Sequence, residues 1–373
     1  MAGPLKGLVV VAVEQAVAAP FCTSRLADAG ATVIKIERPE GDFARFYDRA
    51  AKGESSYFVW LNRGKSSVVL DLSQEAARGQ LRRLIGRADI FVQNLRPGAF
   101  ERLGLGIETL CAADRRLICC SISGYGDHGP MAERKAYDLL IQAESGLASV
   151  TGGPESPARC GISLVDIATG ATAHAAILEA LIGRSMTGEG ADIRISMFDV
   201  MADWLSVPLL NCENGQPPQR VGLAHPSIAP YGVFASMDGR PILVAVQSER
   251  EWRVFASEVL ACQKLSDASD YATNVLRVEN RRALDARIAE IFGSLSHAEL
   301  VRRLMLTQTA FADLNDLNDL SIHPHLRRIM VDTPGGQVAY PAPGPLFDNE
   351  TRAADRVPAL GADTDEILQG LSQ

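Results

Sequence analysis

An acid set alone in an apolar run is the first place in this sequence where chemistry could begin: Asp166, within Leu164-Val165-Asp166-Ile167-Ala168. With an ordinary aspartate pKa near ~3.9 it is ionised at neutral pH, so it can attack an acyl carbon without a separate base. The developing oxyanion then needs fixed donors, which backbone N–H groups in glycine-rich turns supply; Gly124 to Gly129 and Gly152-Gly153 are the candidates. The same aspartate also reads as a plain helix cap, the commoner role for such a residue. Residue type alone leaves both readings open.

Other chemistries lose their usual support. The first apolar run is followed by Glu14-Gln15-Ala16-Val17-Ala18-Ala19-Pro20, with no glycine to admit a pyrophosphate, so nicotinamide dinucleotide binding is not expected. There is no G-x-x-x-x-G-K-[ST], H-E-x-x-H or G-x-S-x-G. Six histidines show only His323-x-His325 beside Pro324, a loop pattern, and no metal site is expected.

The 373 residues suggest two domains, or one large domain with an insertion. Apolar residues make up 47% and charged residues 22%, which excludes disordered and fibrous classes. Lys plus Arg number 37 against 45 acids, a net charge of -8, which argues against nucleic-acid or anionic-membrane surfaces and leaves room for a small phosphate ligand. Seven cysteines without a C-x-x-C pair fit reduced thiols in a cytosol-like compartment. The run from Leu8 to Val13 stops at Glu14, lacks a basic leader and is too short for a span, so a soluble, cytoplasmic protein is expected.

What must position these residues is an α/β scaffold. Short β-branched runs at Leu8–Val13, Thr32–Glu37, Ser67–Leu72, Ile90–Leu95 and Leu117–Ser121 alternate with helical stretches, the rhythm of a parallel sheet. Ser73 is placed to cap a helix carrying Ala77, Leu81, Leu84 and Ile85 on one face. A long, small-residue-rich helix is predicted over Leu164–Arg184, then a strand Ala191–Ile195 and a helix Met197–Leu210. The expected boundaries are a large domain over 1–210, a linker over 211–230, a small α+β domain over 231–325 and a return to the large domain over 326–373. In the small domain, Asp238-Gly239 predicts a type I′ hairpin between Tyr231–Met237 and Arg240–Val246. A helix through Leu284, Ile288, Ile291 and Leu295 and a capping box at Ser296–Glu299 follow. The proline-rich tail reads as a strap with one short helix near Thr364–Leu371.

The order and spacing of a set of blocks across nearly the whole chain resemble the family III CoA-transferases, a group that includes carnitine CoA-transferase, formyl-CoA transferase and α-methylacyl-CoA racemase. The blocks are Pro20-Phe21-Cys22-Thr23 leading to Leu26 through Pro39; Asn62-Arg63-Gly64-Lys65-Ser66 with Leu70-Asp71-Leu72; Asn94-Leu95-Arg96-Pro97-Gly98 with Leu103-Gly104; Ser123-Gly124-Tyr125-Gly126; Tyr137-Asp138 with Gln142 to Gly146; and Asp166 with Thr169-Gly170. The resemblance implies a Rossmann-like large domain with a smaller one and an interlocked homodimer. It also implies that Asp166 attacks an acyl-CoA thioester, giving a mixed anhydride and then an aspartyl-CoA thioester, from which CoA passes to an acceptor acid.

By the same resemblance, CoA is a substrate and not a tightly bound cofactor, and Val17, Ala18, Arg38, Leu61, Asn62, Lys65, Asn94, Leu95, Arg96, Arg102, Lys135, Tyr137, Asp138 and Met197 border it. Arg38 and Lys65 stand at strand ends or turns, where α/β folds place ligands. Gln142 and His225 are candidates for the acceptor pocket, and Arg159, Arg184 or Arg220 for a second carboxylate. Members without a polyglycine loop imply succinyl-CoA and a C4–C5 dicarboxylate such as malate, itaconate, mesaconate, citramalate or glutarate. Here the corresponding stretch is Gly222 to Ser227. Two alternatives stand. A racemase needs two acid/base groups, but the chain has Ala136-Tyr137-Asp138 where racemases have G-H-D. A non-catalytic CoA-binding protein has no use for Asp166.

Overall fold

Alternate residues of the first strand, β1 (Val9–Val13), face opposite layers: Val10 and Ala12 pack on one side, Val11 and Val13 on the other. A strand apolar on both faces belongs inside a parallel sheet covered by helices. Five strands join it: β2 (Thr32–Glu37), β3 (Lys65–Val69), β4 (Ile90–Gln93), β5 (Ile118–Ser123) and β6 (Asp192–Ser196). All pairs are parallel and the order is β3-β2-β1-β4-β5-β6. The direction of winding reverses between β1 and β4, which opens a crevice beyond their C-terminal ends.

The computed structural model describes residues 3–371. One compact unit contains the sheet and comprises residues up to Leu147, Arg159–Val207 and His325 onward; the other comprises Ala148–Ala158 and Pro208–Pro324. In the first unit, α1 (Ala18–Asp28) and α2 (Glu75–Ile85) cover opposite faces of the sheet. Ala77, Leu81, Leu84 and Ile85 of α2 are buried as their spacing predicts. Its N-cap is Gln74, however, because the Ser73 hydroxyl donates instead to Asp71 Oδ1 at 2.7 Å.

Two further helices carry site residues: α3 (Asp138–Glu144) and α4 (Leu164–Thr187). By length and composition α4 is apolar enough to cross a membrane. Here Ala173 and Ile177 pack against the sheet and α1. The small-residue stripe has a specific use at Gly170, where a Cβ would stand 2.4 Å from the Ala18 carbonyl oxygen. That contact sets α1 and α4 backbone to backbone, one turn beyond Asp166. The expected helix Met197–Leu210 is two helices, Met197–Trp204 and Ser206–Glu213. Pro208 explains the break, since it lacks the N–H that would reach back to Trp204.

The second unit has an antiparallel sheet of Tyr231–Ala235, Pro241–Ala245 and Ala310–Asp313. The hairpin forms, but not by a type I′ turn. The loop is Ser236–Arg240, and Gly239 has φ +74° while Asp238 stays out of the left-handed region. The Asp238 carboxylate is instead occupied by the His297 N–H at 2.9 Å. Ser296 accepts from the Glu299 N–H, but the Glu299 carboxylate turns to Arg302 and Arg303, so the capping box is half formed. The segment read as a linker is held within this unit: Arg220 donates to the carbonyls of Ser149, Gly153 and Pro154, and Gly222 to that of Gly152. The tail carries more order than a strap, with an antiparallel pair Arg328–Thr333 and Gly336–Pro341 before the helix Thr364–Gly370.

The helix contact at Gly170 is testable. Gly170→Ala puts a methyl against a carbonyl oxygen with no flexible neighbour to yield, and the expected loss is about 1–3 kcal/mol of unfolding free energy in a urea titration. An unchanged midpoint would contradict this packing.

Candidate active site

A cavity of about 500 Å³ lies in the crevice beyond the ends of β1, β4 and β5. Its walls come from the turns after those strands (Gln15 to Ala18, Asn94 to Pro97, Ser123 and Gly124), from the approach to α3 (Lys135 to Asp138) and from Asp166 on the first turn of α4. Gly124 allows one of these approaches, since a Cβ there would fall 2.1 Å from that of Ala136.

The turn after β1 replaces the glycines of a dinucleotide loop with a strained alanine. Ala16 has φ +61°, a left-handed conformation that costs a non-glycine residue about 1–2 kcal/mol. Two side chains hold it there. Asn94 accepts from the Gln15 N–H at 3.0 Å and donates to the Gln15 carbonyl at 2.8 Å, while Asp42 accepts from the Ala16 N–H at 3.2 Å.

Asp42 in turn belongs to a buried charge network. It pairs with Lys35 at 2.9 Å; Lys35 also lies 3.5 Å from Glu14, and Glu14 pairs with Lys65 at 2.6 Å. All four side chains are almost wholly inaccessible. Burial disfavours every one of these charges. Even so, the attraction of Lys65 and Lys35 holds the Glu14 carboxyl below its usual range, and Asp42 with Glu14 hold Lys35 above its own. At Lys65 burial prevails over Glu14, with Lys35 adding repulsion, and its ammonium falls to about 8. Glu37 continues the network through a bidentate pair with Arg45 at 2.7 and 2.8 Å and lies at about 2, because Arg45, Lys35 and Ser67 outweigh its burial.

Asp166 does not cap its helix. The cap is Asp138, reaching across from α3: its Oδ1 accepts from the N–H groups of Val165 at 2.8 Å and Asp166 at 3.3 Å. The opposite oxygen accepts from Gln142 Nε2 at 2.7 Å, and Gln142 Oε1 accepts from the Cys160 N–H at 2.9 Å. Burial, with the charge of Asp138 beside it, raises the Asp166 carboxyl to about 7. The expectation of an ordinary carboxylate is thus corrected: the nucleophile candidate is far more basic than a free aspartate.

Asp166, Val17, Ala18, Asn94, Leu95, Arg96, Lys135, Tyr137, Asp138 and Met197 line this one cavity, and so does Arg159. Arg38 stands outside it, exposed, donating to the Gly41 carbonyl at 2.9 Å with its guanidinium over Phe43, which is itself a wall residue. Leu61 is core, packed with Val17 and Phe21. Lys65 and Asn62 lie off the cavity wall. Lys65 spends its donors on Glu14, the Pro20 carbonyl and Asn62, while Asn62 donates to Phe58, so neither reaches the cavity. Arg102 is exposed on the short helix Ala99–Arg102.

Gln142 is buried behind Asp138 and acts through it. His225 serves its own turn, accepting from the Ser227 N–H at 3.1 Å and stacking on Tyr231. Of Gly124 to Gly129 the cavity uses only Gly124, and Gly152-Gly153 lie in the second unit, where their carbonyls accept from Gly222 and Arg220. Among the described residues no acid, histidine and cysteine cluster can hold a metal.

Residue types alone did not point to Gln15, Tyr47 or Tyr57 in the wall. Burial, Asp42 and Asp166 push the Tyr47 phenol up to about 12, so it stays a neutral donor. A signal for the network was present: Lys35 interrupts the apolar strand Thr32–Glu37, and a charge at a buried strand position demands partners.

The model of CoA-transferase family III matches residues 5–364. An acetyl-CoA:oxalate CoA-transferase from Acetobacter aceti is 37% identical over 77% of this chain and 74% of its own. A succinate–glutarate CoA-transferase from Agrobacterium fabrum is 32% identical over 99% of this chain and 96% of its own. A crystal structure of a CaiB/BaiF family protein from Brucella suis superposes with a TM-score of 0.83 at 33% identity, covering 100% of both chains.

The raised carboxyl has a consequence for stability. Folding that lifts a carboxyl pKa favours the protonated form, so its contribution is complete below the unfolded value near 3.8 and lost as pH rises through about 7. Asp166→Asn removes that loss. Its melting temperature is expected to exceed that of the wild type by several degrees at pH 8 and to match it near pH 4. Equal differences at both pH values would show that Asp166 does not titrate in this way.

Proposed function

The chain belongs to CoA-transferase family III, and from that premise we propose that it moves CoA from succinyl-CoA to a four- or five-carbon dicarboxylic acid, with Asp166 as nucleophile. The observation that carries this is the position of Asp166: a carboxyl on the cavity wall, lifted to about 7 by burial and Asp138. With its pKa raised, its ionised form is more basic than a free carboxylate and attacks without a separate base.

An oxygen of Asp166 bonds to the thioester carbon, the C–S bond breaks, and CoA leaves as thiolate. The thiolate then attacks the aspartyl carbonyl of the mixed anhydride and expels succinate, leaving an aspartyl-CoA thioester. The acceptor carboxylate attacks that thioester and releases thiolate again. Attack of this thiolate on the acceptor carbonyl gives the new CoA thioester and restores Asp166. Protons balance without a general acid, since thiolate is both leaving group and nucleophile. What the site must add is positioning and oxyanion donors, and Tyr47 and the turn backbone at Gly124 suit that task.

CoA enters as substrate. Arg96 and Lys135 suit its phosphates, Val17, Ala18, Leu95 and Met197 its apolar surfaces, and Tyr137 the pantetheine arm. The choice of donor and acceptor leans on the Agrobacterium relative, named for succinate and glutarate. A homodimer fits an apolar groove of about 1030 Å³ beside α4, whose walls include Leu8, Phe21, Leu178, Leu181, Ile182 and Phe347.

Incubation with succinyl-CoA and a panel of acids should yield at least one new CoA thioester by mass spectrometry, and none with Asp166→Ala. For the free enzyme, kcat/KM should rise with pH through about 7 as Asp166 ionises. Solvent deuterium at the α-carbon of a branched acyl-CoA, with no acceptor present, would instead identify a racemase. Light scattering should give about twice the 40.1 kDa chain mass; a monomeric mass at micromolar concentration would exclude the dimer.

A further inference from the structure

Three arginines were candidates for the second carboxylate of a dicarboxylic substrate, and the structure separates them. Arg184 is buried and committed to Asp89, at 3.0 Å from Oδ1, and to the carbonyls of Asp89 and Arg116. Arg220 belongs to the second unit, held by three carbonyls. Arg159 lines the same cavity as Asp166 and has no carboxylate partner among the described residues.

Its placement is built. Nε donates to the Cys160 carbonyl at 3.0 Å and Nη2 to that of Gly161 at 3.3 Å, which folds the side chain along the stretch that leads into α4. The Cys160 N–H is pinned by Gln142, and Gln142 by Asp138, the same carboxylate that caps α4 and accepts from the Asp166 N–H. Three hydrogen bonds therefore link the backbone next to Arg159 to the backbone of Asp166. Of the five guanidinium N–H groups, two are used, and Nη1 with the remaining Nη2 hydrogen can still take a carboxylate end-on. The other cations on the wall differ: Arg134 lies 3.8 Å from Glu144, and Arg96 and Lys135 have no such tie to Asp138.

We propose that Arg159 is the specificity-determining residue of this site, holding the carboxylate of the acyl group distal to the reacting carbon. The inference rests on the transferase reading above. Because donor acyl group and acceptor acid occupy the same position in turn, one guanidinium serves both halves of the reaction. Arg159 is exposed, so its selectivity comes from attraction and not from a desolvation penalty: only a dicarboxylate offers the guanidinium a charge-assisted, two-pronged partner.

The test compares succinyl-CoA with butyryl-CoA, which has the same carbon chain and no distal carboxylate, in single-turnover release of the free acid from the purified enzyme, with the aspartyl-CoA thioester read by intact-protein mass. Arg159→Gln is expected to lower the rate constant with succinyl-CoA by about tenfold or more and to change that with butyryl-CoA by less than about threefold. Arg159→Lys should recover part of the preference, and butyryl-CoA turnover shows that each variant is folded. Equal losses on the two thioesters, or an unchanged preference, would overturn the role of Arg159 while leaving the transferase reading intact. A wild type that forms no aspartyl-CoA thioester from any dicarboxylic thioester would overturn both.

Discussion

The cavity depends on a set of charges that never touches it. Lys35, Glu14, Lys65 and Asp42 lie buried where β1, β2 and β3 reach the crevice, and Asp42 carries their order outward to the Ala16 N–H. Removing one member would strand its partner as an unpaired charge in the interior, which costs about 3–5 kcal/mol. The network is therefore all or none. That rigidity suits a turn that must hold an alanine in a left-handed conformation where other folds of this strand order use glycine.

A second carboxylate organises the opposite wall. Asp138 caps α4, fixes Gln142 and stands close enough to Asp166 to oppose its ionisation. Those effects pull against each other: capping stabilises the helix, while crowding two acids destabilises the ionised site. An acid held away from its ordinary ionisation is one of the ways a folded chain trades stability for function. The backbone contact at Gly170 belongs to the same design, because it fixes α4 against α1 one turn beyond the acid.

Much of the scaffold was readable from residue pattern. Short β-branched runs located the strands, and the face of Ala77, Leu81, Leu84 and Ile85 located a helix. Errors clustered where side chains had a choice of partner. Ser73 turned to Asp71 instead of capping, the Asp238 carboxylate went to His297 and left no type I′ turn, and Glu299 chose arginines over its box. Local hydrogen-bonding groups have many partners of similar energy, and distant packing decides among them.

The candidate site shows the same division. A lone acid in an apolar run and the order of the family blocks singled out Asp166 and part of the cavity wall, from Val17 and Ala18 through Asn94 to Arg96 and Lys135 to Asp138. Which cations face the cavity was not local. Lys65 and Arg96 look alike as residues, yet one is consumed by Glu14 inside the fold and the other lines the crevice. The basicity of Asp166 likewise arises from burial and from Asp138, 28 residues away in sequence. Sequence by itself determined the fold class and the nucleophile candidate; only tertiary structure decided its ionisation and the free cations, because desolvation and Coulomb energy depend on distances in space.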